Sequence, residues 1–399
     1  MATGKRRKTM KPSYITIDNS NDLKLVHDDV VDNIKCELGI SFKRTLRIPD
    51  DNKKYNLPPS LGNFPLKHVE DYQNVPQSWK EHGGVFLPMY QSEAMWLSFN
   101  SRWPFAIKIA AGKINAVSGE AWNPQLLKLN KVAQAYDSAT RPTYPYTVCA
   151  GKTCITMEDP FAHLNTIAQK PDYIVAPKQP WLDGFNVGKG LIRQFIAMPL
   201  GAGYTVEEQL TNKAENGGIQ IIAYPMKKEA YEKIRAEERR KELEYLNRPI
   251  SMNMITAQAA SKGILRSATN NASQEMGLGA GGFMKQDIYE DPYEGDVWDT
   301  TKPLKVFVHL LNSNEYLQVT GEKPPTKPLT PMEYSRYNYP WFDYYDDGAV
   351  LSGSEKLSKI ESVGALQIKK DENVLIDNSS FNQPQPHVLG QKIVKAGKW

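Results

Sequence analysis

No stretch of this 399-residue chain approaches the roughly 18 consecutive apolar residues that a membrane-crossing helix needs. The basic start, Met1-Ala-Thr-Gly-Lys-Arg-Arg-Lys8, has no apolar run behind it and so does not make a signal peptide. Cysteine is scarce. Cys36, Cys149 and Cys154 form an odd, sparse set that provides no disulfide framework and suits a reducing compartment. An excess of one charge is lacking too, since 49 Lys and Arg stand against 45 Asp and Glu. That balance is too even to call for nucleic acid. Together these absences predict a cytoplasmic protein with no transmembrane segment and no nucleic-acid partner.

Catalytic motifs are missing as well. The six histidines form no H-E-x-x-H pair, and no G-x-S-x-G elbow occurs. His309, inside an apolar run, reads as a hydrogen-bonded core residue. Gly151-Lys152-Thr153 resembles the end of a phosphate loop, but Tyr146 stands where the first glycine belongs. Cys149, Cys154 and His163 fall short of the four ligands of structural zinc. Gly277-Leu-Gly279-Ala-Gly-Gly282 matches G-x-G-x-x-G without the strand and helix that a dinucleotide site requires, so it reads as a flexible turn.

What is present points to strands. The chain holds 27 Pro, 27 Gly, 20 Tyr and 8 Trp, a composition that favours short pleated elements joined by loops. The organising stretch runs from Asp172 to Pro225. In it Leu191–Met198 and Ile219–Tyr224 are apolar at nearly every position, as strands covered on both faces are. Val206, Glu208 and Leu210 alternate and suggest a strand with one wet face. Further strands are expected at 84–90, 94–99, 105–110 and 306–311, and at Ser13–Ile17. Phe105, Ile107 and Ile109 should face one way from their strand, and Lys108 the other. Asp28–Leu38 carries a short helical pattern. Lys227–Leu246 is the one clear helix, with Glu229 and Glu237 each four residues before a lysine.

The expected fold is mainly β: a large β-sandwich-like domain with one charged helix and long loop excursions. Residues 1–42 form a basic tail and a small strand–helix appendage, and 43–370 the main β domain. Within it 123–170 and 227–274 are insertions, the first allowing a short helix from Leu126 to Ala135, and 371–399 is a tail.

The suggestive chemistry is acidic. Asp287, Glu290, Asp291, Glu294, Asp296 and Asp299 crowd one loop, interleaved with Tyr289, Tyr293 and Trp298. Oxygen ligands on a loop can hold calcium, and carboxylates beside aromatic faces can hold a sugar. Asp343, Asp346 and Asp347, with Trp341 and Tyr344, form a second patch. Calcium is thus the one candidate cofactor, and Trp298, Tyr293 and Trp341 are the candidate ligand contacts.

Several stretches are similar to a family of actinobacterial, other bacterial and fungal proteins often labelled "integral membrane protein". They are Arg44–Pro49, Leu57–Leu66, Gly83–Phe99, Val117–Glu120, most of Asp172–Pro225, Met276–Tyr293 and Val306–Pro325. The label finds no spanning run in this sequence, and the resemblance carries over no activity and no catalytic residue. Three functions remain in view. The first is a non-enzymatic protein that acts through its surfaces and self-associates into a homo-oligomer or larger scaffold. The second is a carbohydrate-binding module, with or without calcium. The third is a hydrolase using paired carboxylates.

Overall fold

A computed structural model describes residues 13–126, 146–150, 153–157, 171–246, 274–337, 339–344, 346, 348–370 and 387–389. The fold is mainly β. The first strands are β1 (Ser13–Ile17), β2 (Leu23–Val31), β3 (Ile34–Thr45), β4 (Lys54–Tyr55), β5 (Lys67–His68), β6 (Val85–Met89) and β7 (Ala94–Asn100). Next come β8 (Phe105–Ala111), β9 (Ile114–Asn115), β10 (Tyr146–Ala150), β11 (Thr153–Met157), β12 (Ile174–Ala176), β13 (Trp181–Leu182) and β14 (Gly184–Gly188). The last are β15 (Leu191–Pro199), β16 (Ile219–Pro225), β17 (Glu275–Met284), β18 (Leu304–Asn312), β19 (Phe342–Tyr344) and β20 (His387–Leu389). Three helices matter below: α1 (Gln77–His82), α2 (Val206–Thr211) and α3 (Lys228–Leu246).

Sixteen strands belong to one linked sheet, whose main path runs β1-β2-β3-β7-β15-β17-β18-β16-β8-β12. Every pair along that path is antiparallel; β4 and β6 join from the side as parallel partners of β17 and β18. The apolar runs read from the sequence lie inside the path rather than at its ends: β8 and β16 are buried at every residue. The path curls back on itself, which is how both faces are covered. His27 of β2 stacks on Phe105 of β8 with ring centroids 6.3 Å apart, and β1 touches β18. His309 meets its expectation: it is buried between Trp79 of α1 and Phe307, and its Nε2–H donates to the carbonyl of Gly83 at 3.1 Å. Burial pushes its pKa down to about 3, so the ring is neutral.

Four readings are corrected. Asp28–Leu38 is not a helix but the hairpin of β2 and β3, turning at Asp32 and Asn33, both at positive φ. A register shift between Val26 and Val30 breaks the strict alternation, and the broken alternation imitated a helical period. The expected boundary at residue 42 falls inside β3, which pairs with β7 from Gly39 to Thr45. Val206, Glu208 and Leu210 lie on α2 rather than a strand. Thr205 accepts from the Glu208 N–H while the Glu208 carboxylate takes the Thr205 N–H, a capping box that outweighs three alternating residues.

Gly277–Gly282 is no flexible turn. It is the interior of β17, paired with β15. A Cβ on Gly282 would lie 2.2 Å from the Pro49 carbonyl oxygen, so its glycine serves a close backbone approach. The opposite face of β8 is covered too: Lys108 has no exposed surface, and its ammonium is 2.6 Å from the Asp172 carboxylate. Helix α3 forms as expected. Tyr231 lies 4.3 Å from Trp103, and Arg235 and Arg239 both reach Asp32 at the hairpin turn. The short helix allowed at 126–135 falls, from residue 127 on, outside the described residues; so do His163, residues 247–273 of the second insertion, the basic start and, apart from β20, the tail.

Candidate functional sites at an open sheet edge and a two-acid pocket

The acidic loop is held from within. One Asp291 oxygen accepts from the Tyr173 hydroxyl at 2.7 Å and from the Trp298 indole N–H at 2.8 Å, and the other accepts from the Tyr293 N–H. Asp296 pairs with Lys227 at 2.6 Å, and Asp299 takes the N–H and hydroxyl of Thr301. Glu294 and Asp296 line an open groove with Tyr293 and the first turns of α3. Glu290, half-buried, is held by its backbone N–H to Ala349. Among the described residues no three His, Cys, Asp or Glu side chains gather as metal ligands. Trp298 and Trp341, expected to face a ligand, are 0% and 1% exposed and belong to the core, while Tyr293 is half-buried against it.

Asp287 stands apart from its neighbours. It lines a cavity of about 180 Å3 together with Asp343, so the fold brings one member of each acidic patch into a single pocket. Trp181 and Leu57 supply the apolar wall, and Gln179 and Gln286 the polar frame. Those amides are fully used in the frame. The Gln179 NH2 donates to the carbonyls of Trp181 and Asp287 while its oxygen accepts the Tyr289 N–H. The Gln286 NH2 donates to Asp183 at 2.7 Å while its oxygen accepts the Asp183 N–H. Two side chains thus replace a strand ladder between 179–183 and 286–289, and they fix the pocket rim.

The electrostatics follow from burial. Asp183, behind Gln286, is 2% exposed with an amide as its partner, and burial pushes its pKa up to about 8 despite that hydrogen bond. Burial also raises Asp287, the facing Asp343 raises it further, and Lys189 pulls it back. The sequence offered a signal for this site in Trp181-Leu-Asp183-Gly184, an aromatic and an acid between Pro180 and Gly184, where β13 gives way to β14.

The ends of the sheet form the other candidate. β1 pairs with β2 on one side, and among the described residues no strand pairs with its outer side. Its five residues, Ser-Tyr-Ile-Thr-Ile, carry no charge and no proline, and its register with β2 has no bulge. Those are the devices that usually blunt an edge. Tyr14 is 39% exposed, while Ile15 and Ile17 rest on the core. At the opposite end β12 is buried at all three residues. Beside it the Lys108 ammonium donates to the carbonyls of Asn123 and Gln125 as well as to Asp172.

Comparison of the chain with protein-family models, with curated proteins and with solved structures returned no match. No helix among the described residues is long and apolar enough to cross a membrane.

Proposed function

We propose that this chain is a non-enzymatic protein that self-associates, and that β1 is the element through which two copies join. One observation carries the reading. The sheet ends in a strand of β-branched and aromatic residues whose outer edge no strand pairs with among the described residues, and which carries no charge, proline or bulge. Unpaired backbone N–H and C=O groups on such an edge are satisfied by another strand as readily as by water, and a copy of the same strand is always at hand. Antiparallel pairing about Ile15 sets Tyr14 of each copy opposite Thr16 of the other, an aromatic against a β-branched side chain, which is a favourable cross-strand pair.

Light scattering through a dilution series tests it. The wild-type protein should be a dimer or larger. Tyr14→Lys with Thr16→Lys sets ammonium opposite ammonium and should leave a folded monomer; Tyr14→Glu with Thr16→Glu should do the same. Mixing the two monomers should restore a heterodimer, which a merely unfolded variant cannot do. A monomeric wild type, or a double-lysine protein that assembles unchanged, defeats the proposal.

A further inference from the structure

We infer that the cavity between Trp181 and the Asp287–Asp343 pair is a binding site for a single neutral sugar ring. This inference is independent of the self-association of β1. The cavity, about 180 Å3, is well below the roughly 300–1,000 Å3 of sites for drug-sized ligands, and so has room for one ring rather than an oligosaccharide. The lining has apolar members: Trp181, half-buried, and Leu57. The same lining carries two carboxylates, Asp287 and Asp343.

The chemistry of the ligand follows from what the pocket lacks. Gln179 and Gln286 have every hydrogen-bonding atom engaged in the frame. The free functional groups at the rim are therefore acceptors, Asp287 and Asp343, with the exposed Lys285 beside them. Positive charge is already supplied by Lys285 at the rim and by Lys189 acting on Asp287. The missing component is a set of neutral O–H donors next to an apolar face. Adjacent hydroxyls on one sugar ring supply those donors in a fixed geometry, and the C–H face of the same ring lies against an indole. Gly190 keeps the way to the acid open, since a Cβ there would stand 2.9 Å from Asp287 Oδ1.

The test is binding of the methyl glycosides of glucose, galactose, mannose and N-acetylglucosamine to the full chain. It is followed by tryptophan fluorescence and by saturation-transfer NMR, with 1,4-diaminobutane as the contrasting cationic probe and a chelator present throughout. At least one glycoside should bind saturably. Asp287→Asn should weaken it by about tenfold, the loss of one hydrogen bond to a charged acceptor, and Asp343→Asn likewise. The thermal midpoint of each variant, measured alongside, separates loss of the site from loss of the fold. Trp181→Phe should retain part of the affinity, because an aromatic face remains. The inference is overturned if no glycoside binds, if only diaminobutane binds, or if both Asp→Asn variants bind as the wild type does.

Discussion

At one end of the sixteen-stranded sheet lies β1, with an uncharged edge that no described strand covers; at the other lies β12, with no residue exposed. The difference is sharper in the chain around them. On β8, next to β12, the fully buried Lys108 joins two places that are distant in sequence. It donates to the carbonyls of Asn123 and Gln125, where the chain leaves the sheet, and pairs with Asp172, where it returns. Tyr224 adds its hydroxyl to the carbonyl of Pro124. All three ammonium protons have acceptors, which is the condition under which a buried lysine is tolerable. The comparison separates two ways of ending a sheet. One end is flanked by the chain's own buried ionic clamp, and at the other no described strand pairs with the outer side of β1.

The largest effect should come from breaking the clamp. Lys108→Met leaves the Asp172 carboxylate, 4% exposed, without its ammonium, and should cost about 3–5 kcal/mol in a urea titration. A loss below about 1 kcal/mol would mean that the two ends do not differ in the way described. A second buried acid sharpens the point. Asp183 has an amide where Asp172 has a cation, and its folded pKa of about 8 lies above the usual carboxylate range. The folded state then holds a proton that the unfolded state has released, so Asp183 lowers stability as pH rises from about 4 to about 8. Asp183→Asn should remove that decline, on the order of a few kcal/mol, as read from urea midpoints at several pH values. Smaller still is Tyr224→Phe, which removes one hydrogen bond from the clamp and should cost about 1 kcal/mol.

The buried middle of the sheet was legible because a strand covered on both faces must be apolar at nearly every position. Leu191–Met198 and Ile219–Tyr224 could be little else. Helix α3 announced itself through Glu–Lys pairs four residues apart, since a solvated helix is written in charge. What escaped had a local pattern that imitates another. The Thr205–Glu208 box starts a helix of only six residues, too short to show a period. The glycines of β17 resembled a turn until the Pro49 backbone was seen against them. The burial of Lys108 could not be read locally because its acceptors lie on segments well along the chain from it. The candidate pocket was half legible. Asp287 and Asp343 each stood out within an acidic patch, but only the fold puts them in one cavity, and only the fold withdraws Trp298 and Trp341 into the core.

The smallest predicted change in stability belongs to the open end, and it is the one that decides whether the contrast is functional. Tyr14 is exposed and Thr16 half-buried, on the strand face opposite Ile15 and Ile17, which are the β1 side chains that rest on the core. Tyr14→Lys with Thr16→Lys should therefore shift the urea midpoint of the monomer by no more than about 0.5 kcal/mol. The same two changes should abolish association, because edge pairing in a symmetric dimer repeats each lysine twice across one short ladder. A strand whose outer residues set assembly yet leave folding untouched is an interface by that fact. If the double variant instead loses as much stability as Lys108→Met, then β1 holds the fold as firmly as the clamp does, and the sheet has two closed ends.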